Sequence, residues 1–224
     1  MELAKNILIV MLLLICLYIL MNWIFSSGTS LSDTEKGDKR QQIEASTLDN
    51  PASQNFTYSI WFFMSEFINT PNEKILLTRK IGDNAPSSIN ITLGTSNNDL
   101  TVSVNNNIDK TVITNYPIQK WVNLFVSVFN RTLDCYINGK LVQTTIMSSL
   151  ATVNKTAPVI ITPGGGFPGF TANIKYWGNS SNPQDAYNTY KDGFGGSILG
   201  NLFNKFRIKI AFLQDNKESG SFEI

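Results

Sequence analysis

Between Trp121 and Thr145 the stretch WVNLFVSVFNRTLDCYINGKLVQTT alternates apolar and polar positions. Val122, Leu124, Val126 and Val128 share one side of an extended segment, and Leu133, Cys135 and Ile137 repeat the pattern after a break at Asn130-Arg131-Thr132. Side chains of a strand point alternately to two faces, so a period of two predicts two half-buried strands here. Asn138-Gly139 supplies the two positive-φ residues that a tight type I′ turn needs, and residues 140–145 lead back out as a third strand. The expected unit is a meander with one face committed to a core.

The same reading extends over the neighbouring sequence. In FTYSIWFFM, residues 56–64, Phe56, Tyr58, Ile60 and Phe62 fall on one face while Trp61 and Phe63 take the other, which predicts a strand covered on both sides. Short strands are expected at 74–80, 88–94, 100–104 and 110–114, separated by Gly82-Asp83-Asn84-Ala85-Pro86 and Ser96-Asn97-Asn98-Asp99. Residues 159–162, a Pro-Gly-Gly-Gly loop and residues 170–177 follow the meander. Asn182-Pro183-Gln184-Asp185 reads as a helix start, with Asn as N-cap, Pro at the first helical position and Asp in the first turn; the helix should stop at Asp192-Gly193. Many short strands without a long helical period predict an all-β fold, a two-sheet antiparallel jelly-roll sandwich over residues 55–192.

Residues 7–25, ILIVMLLLICLYILMNWIF, are broken only by Asn22. As a helix they would reach roughly 28 Å, close to the ~30 Å hydrocarbon thickness of a bilayer. One N-terminal transmembrane helix is therefore expected within an anchor at 1–28, with Ile7, Leu13, Tyr18, Trp23 and Phe25 in the span and the aromatic residues toward an interface. The rival, a cleaved signal peptide, has too long an apolar core. Residues 29–54 are polar and mixed in charge and read as a linker, with a short helix around 39–47.

Beyond the sandwich, residues 193–224 carry too many large apolar groups for a solvated tail. A short helix is expected at 198–204, then a strand in which Phe206, Ile208, Ile210 and Phe212 alternate with Arg207, Lys209 and Ala211, then a turn at 215–220. This docking tail is expected to add its strand to an exposed sheet edge of a partner or of the sandwich itself, through Phe194, Leu202, Phe203, Phe206, Arg207, Ile208, Lys209, Ile210 and Phe212.

Charge and chemistry narrow the function classes. A net charge of +1 favours neither nucleic acid nor an anionic surface, so no nucleic-acid partner is expected. The chain has no histidine, which removes the commonest general base and the commonest zinc ligand. Its two cysteines stand in the apolar N-terminal stretch and on the core face of a strand, so no disulfide framework is expected. Cys135 has no histidine to activate it and reads as a core thiol rather than a nucleophile. Asn97, Asn98, Asp99 and Asn105, Asn106, Asn107 could offer oxygens to calcium or to a sugar, but turn chemistry alone accounts for them. No cofactor, metal site or catalytic residue is nominated. Asn-X-Ser/Thr triplets occur at Asn55, Asn90, Asn130, Asn154 and Asn179, about as many as chance produces in so Asn-, Ser- and Thr-rich a chain; Asn130, in a turn, is the most accessible glycosylation candidate.

Four motifs in order, Phe-Thr-Tyr-Ser-Ile-Trp-Phe at 56–62, Trp121 with its alternating valines, Leu-Asp-Cys-Tyr-Ile-Asn-Gly-Lys at 133–140 and Gly-Phe-Thr-Ala-Asn-Ile-Lys-Tyr-Trp at 169–177, resemble the laminin-G-like, concanavalin-A-like lectin and glucanase jelly rolls. The resemblance spans roughly residues 50–190 and implies the sandwich fold and a short closing helix. Family members often carry acidic residues where Ala172 and Asn173 stand, so no metal site carries over. The Glu-x-Asp-x-Glu strand of the glucanase relatives has no counterpart, and no carboxyl pair for glycoside hydrolysis is found. One span, a jelly roll and the stretch YKDGFGGSILGNLFNKFRIKIAFL, residues 190–213, are also similar to proteins of large icosahedral DNA viruses with an internal membrane, which implies a minor capsid role. The expectation is a non-enzymatic, single-pass membrane protein that links a viral capsid to an internal membrane. Its partners would be the lipid bilayer and other structural proteins. The alternative is a membrane-anchored, lectin-like module that binds carbohydrate.

Overall fold

The structure is a computed structural model that describes residues 11–18, 28–71, 73–82, 84–195, 209–214 and 217–223. Residues 11–18 form a helix, α1. Three short strands follow: β1 (Thr29–Ser32), β2 (Glu35–Lys36) and β3 (Gln41–Ile43). The body of the fold is β4 (Phe56–Met64), β5 (Lys74–Arg79), β6 (Ile89–Leu93), β7 (Leu100–Val104), β8 (Asp109–Ile113), β9 (Trp121–Phe129), β10 (Thr132–Ile137), β11 (Lys140–Ile146), β12 (Val159–Ile161) and β13 (Gly169–Trp177). Helix α2 (Pro183–Asp192) and the strands β14 (Lys209–Gln214) and β15 (Lys217–Glu223) come last.

Two antiparallel sheets make the sandwich. The first has the order β1-β13-β4-β9-β10-β11, with β2 also paired to β13; the second has the order β3-β12-β5-β6-β7-β8. Period two decides what each sheet buries. Phe56, Tyr58, Ile60, Phe62 and Met64 of β4 and Val122, Leu124, Val126 and Val128 of β9 face Leu77, Ile89, Ile91, Leu93, Leu100, Val102 and Val104 of the second sheet in one core. Full burial of each large apolar side chain stabilises the fold by roughly 1.5–3 kcal/mol. Cys135 is fully buried in the same core, as its register position requires. The meander forms as its pattern demands: Leu133 pairs with Val128, Ile137 with Lys140, and Asn138 and Gly139 turn at φ 51° and 73°.

Helix α2 starts at the expected cap. The Asn182 side chain accepts from the backbone N–H of Gln184 and Asp185, and Asp185 returns a bond to the N–H of Asn182. Ala186 seats the helix on the outer face of the first sheet against Phe125, Tyr136 and Trp177, a second small core. That cover explains why β4 and β9 bury both faces.

Several expectations are corrected. Residues 29–54 are no linker: β1 pairs with β13 and β3 with β12, so the segment adds an edge to both sheets and buries Ser32, Ala45 and Leu48. Edge strands draw on backbone hydrogen bonds and bury little side chain, so a polar sequence can fill them. Around 39–47 a strand and a single 3₁₀ turn at Ala45–Thr47 replace the expected helix. In the tail, residues 217–220 are strand, paired with β14, where a turn was expected. Among the described residues no helix is long and apolar enough to cross a membrane. Of the expected span, Leu13 and Tyr18 lie in the helical residues 11–18, and Ile7, Trp23 and Phe25 lie outside the described residues. Leu202, Phe203, Phe206, Arg207, Ile208 and the expected helix at 198–204 also lie outside them.

Candidate functional site

The outer face of the first sheet carries an aromatic cluster where the cover by α2 ends. Cross-strand partners share a face, and three registers line up: Phe63 opposite Trp121, Phe63 opposite Phe170, and Trp61 opposite both Asn123 and Ala172. The Phe63 ring lies 5.7 Å from that of Trp121 and 6.5 Å from that of Phe170, both tilted by about 50°. Phe170 stands 41% exposed at the rim. Behind this row Trp61 is buried, with the Tyr190 ring of α2 stacked on it at 5.7 Å and 18°.

Phe194, an expected docking residue, lands on this face. Its ring stacks on Trp121 at 4.5 Å and 6° and meets Trp61 edge-on at 6.2 Å. Gly193 turns the chain there with φ 77°, and the Asn173 side-chain amide donates to its carbonyl at 2.9 Å. Lys175 and Asp192 border the cluster: burial pushes the Asp192 carboxyl above the usual carboxylate range, and Lys175 opposes that shift. Lys209, Ile210 and Phe212 lie on β14, whose pairing with β15 is the arrangement described above.

The other sequence candidates are used inside the fold. Asn105 to Asn107 all have positive φ in the β7–β8 turn. Asn105 donates to Asp109 and accepts from the N–H of Thr152, while Asp109 accepts from the N–H and hydroxyl of Ser148. Asn97 donates to Asp99, Asn98 to the carbonyl of Tyr116, and Asp99 accepts from the N–H of Asn115. These side chains hold loops together. Among the described residues no three His, Cys, Asp or Glu side chains form a group that could hold a metal. Burial pushes the Cys135 thiol up to about 12, with Asp134 adding to the shift. Asn130 is exposed, at φ 50° in the β9–β10 turn. The pattern reading did not single out Trp61, Phe63, Trp121 and Phe170 as a site. The signal was present: all four fall on outward positions of neighbouring strands.

Comparison with known proteins agrees with the geometry. A family model described as the concanavalin A-like lectin/glucanases superfamily matches residues 36–185. No curated protein sequence matches the chain. Among solved structures, the receptor binding domain of botulinum neurotoxin D is 15% identical with a TM-score of 0.57, covering 73% of this chain and 44% of its own. The corresponding domain of the C/D mosaic neurotoxin is 15% identical with a TM-score of 0.56, covering 75% and 44%. The serotype D ligand binding domain in complex with N-acetylneuraminic acid is 15% identical with a TM-score of 0.52, covering 72% and 46%. The chain spans less than half the length of each, and at this identity the likeness is one of fold. With its match over residues 36–185, its two-sheet sandwich and its closing helix, the chain belongs to the concanavalin A-like lectin/glucanase superfamily.

Proposed function

We propose that this chain is a non-enzymatic binding module that takes carbohydrate on the outer aromatic face of its first sheet. The observation that carries this reading is the row Phe63, Trp121 and Phe170 on three adjacent strands, open at Phe170. One face of a pyranose ring is lined by C–H groups and packs on aromatic rings, while its rim carries hydroxyls that need fixed polar partners. The superfamily supports the ligand class, as does the N-acetylneuraminic acid bound to the structurally similar serotype D domain. Asp99, Asp109, Asp134 and Asp185 accept hydrogen bonds within the fold, which gives each a structural use. Residues 7–25 are proposed as a single membrane span; the apolar, exposed side chains of Met11, Leu12, Leu13, Leu14 and Ile15 on the helical part support this. Binding of the full chain in detergent micelles to a glycan array, lost in Trp121→Ala, is the expected result. Equal retention by both proteins, or by neither, would overturn the carbohydrate reading. Extraction of the full chain from membranes by alkaline carbonate would overturn the span.

A second reading is a structural component of an assembly, such as a minor capsid protein at a viral internal membrane. It is favoured by the open edges of both sheets, which lie side by side: β8 exposes Val112 and β11 exposes Leu141, Val142 and Ile146, with Ile108 beside them. Exposed apolar edge strands are the ordinary means by which one chain pairs with another. Neighbour-specific cross-links from cysteines placed on β11 in purified particles would support it; their absence would remove it.

A further inference from the structure

Two independent observations meet at Trp61 and Trp121. The first is that the chain's own Phe194 occupies the Trp121 ring face, nearly parallel to it at 4.5 Å. The second lies beside it. The Trp61 indole N–H and the Asn123 side-chain oxygen are buried without a hydrogen-bond partner among the described residues, in side chains only 4% and 0% exposed. Asn123 is otherwise fixed: its amide nitrogen donates to Ser59 at 3.1 Å, and its backbone N–H donates to Asn138 at 2.9 Å. Trp61 and Asn123 are direct partners across β4 and β9, so they are neighbours on one face.

The two atoms are complementary in a specific way. Indole N–H is a donor only, and the amide oxygen is an acceptor only. A hydroxyl group carries what both need, a proton to donate to Asn123 Oδ1 and a lone pair to accept from Trp61 Nε1. Buried polar atoms left unpaired destabilise the fold, so a partner that supplies both bonds is favoured at this position. A ligand with an apolar ring face next to a hydroxyl, which describes a sugar, matches Trp121 and the Trp61–Asn123 pair together.

The cover over this position has one fixed part and one that hinges. Tyr190 belongs to α2, whose capping box and buried Ala186 hold the helix in place. Phe194 follows Gly193, which has positive φ and is held by two bonds, its own N–H to the Tyr190 carbonyl at 3.1 Å and the Asn173 amide to its carbonyl at 2.9 Å; among the described residues the Phe194 ring itself is held only by its contacts with Trp61 and Trp121. We propose that Phe194 is a displaceable latch over a hydroxyl-binding pair. In the free protein it occupies the face of Trp121 that the sugar ring takes. The bound sugar displaces it and sets one hydroxyl between Trp61 Nε1 and Asn123 Oδ1. This inference rests on the carbohydrate reading above and adds its regulation: whatever draws away the segment that begins at Phe194 raises affinity.

The test uses the full chain in detergent micelles, with laminarihexaose and 3′-sialyllactose as probes in calorimetric titrations. Phe194→Ala is expected to tighten binding of whichever probe is taken by about tenfold, since it removes the competitor for the Trp121 face. Asn123→Leu is expected to weaken it by about tenfold, and Asn123→Asp, which keeps an acceptor oxygen, to restore most of it. Acrylamide quenching reads the latch without sugar: Phe194→Ala should increase tryptophan quenching, and the increase should vanish in a Trp121→Phe background. Unchanged quenching, or unchanged or weaker sugar binding in Phe194→Ala while Trp121→Ala abolishes binding, overturns the latch and leaves the carbohydrate reading standing. Binding that Asn123→Leu leaves intact overturns the hydroxyl pair. Failure of every variant to bind either probe overturns the latch and the reading together.

Discussion

Replacing Asp109 by Ala tests whether the asparagine-rich turn between β7 and β8 is a structural clamp. The Asp109 carboxylate accepts from the Ser148 N–H at 2.7 Å, the Asn105 amide at 2.8 Å and the Ser148 hydroxyl at 3.2 Å. Asn105 in turn accepts from the Thr152 N–H at 2.7 Å. The network thus ties the turn to the loop that follows β11. Truncation to Ala removes one of the two acceptors of the buried Asn105 amide, which keeps Ser149 Oγ at 3.2 Å, and the acceptor of the Ser148 N–H and hydroxyl. Each such loss costs about 1–3 kcal/mol, which sets the expected destabilisation near 3 kcal/mol. For a domain of this size that lowers Tm by about 6–12 °C in a calorimetric or circular-dichroism scan at pH 7. Acid adds a second readout. Burial disfavours the charged carboxylate, but the bonds from Ser148 and Asn105, with the nearby Arg131 charge, outweigh it and hold Asp109 below the usual carboxylate range. A depressed folded value means that the stabilisation is fully present above the unfolded value of about 3.9 and is lost as pH falls through the folded value. The gap between the wild-type protein and Asp109→Ala should therefore be full at pH 7 and shrink below about pH 4. A Tm change under about 2 °C, or a gap of equal size at pH 3 and pH 7, would refute the clamp. A large rise in Tm with millimolar calcium would show that these oxygens serve an ion instead.

Three further substitutions probe other parts of the fold. Gly139→Ala should destabilise by about 1–2 kcal/mol in chemical unfolding, because Gly139 sits at φ 73° and an added Cβ would come 3.1 Å from Tyr187 Cα; an unchanged midpoint would contradict the turn assignment. Arg79 is 1% exposed and donates to the carbonyls of Pro51, Asn154 and Ala157 at 2.6, 3.3 and 3.2 Å. Arg79→Ala should cost about 3 kcal/mol or more by leaving those carbonyls without their donor, and a loss below about 1 kcal/mol would show that solvent replaces it. Cys135, buried and with its thiol pushed up to about 12, should resist iodoacetamide at pH 8 until denaturant unfolds the sandwich; rapid native labelling would place it outside the core.

What the sequence disclosed follows from how strongly each element marks its own pattern. The meander at 121–145 was legible because its valines alternate and Asn138-Gly139 admits one turn geometry. The α2 start was legible because cap, proline and first-turn acid, Asn182, Pro183 and Asp185, stand within four residues. β1 and β3 were not, since Thr29-Ser30-Leu31-Ser32 and Gln41-Gln42-Ile43 have too little apolar content to show a period and are held by backbone pairing at sheet edges. β15 escaped for the same reason: Lys217–Glu223 carries one large apolar residue, Phe222, and pairs through its backbone with β14. The outward aromatics Trp61, Phe63 and Trp121 were visible as exceptions to a one-sided pattern. That Phe194 closes over Trp121 depends on where α2 ends against the sheet, and no local pattern encodes it.

The central claim is that the outer aromatic face takes a carbohydrate ring, and the indole N–H signals of the protein report on it directly. Trp61 and Trp121 belong to that face, whereas Trp177 packs against Phe125 beneath α2. In a nitrogen-15 correlation spectrum recorded through a titration with a bound glycan, the Trp61 and Trp121 signals should shift together along one binding curve while Trp177 stays in place. A glycan that binds and leaves both Trp61 and Trp121 unmoved would contradict the claim.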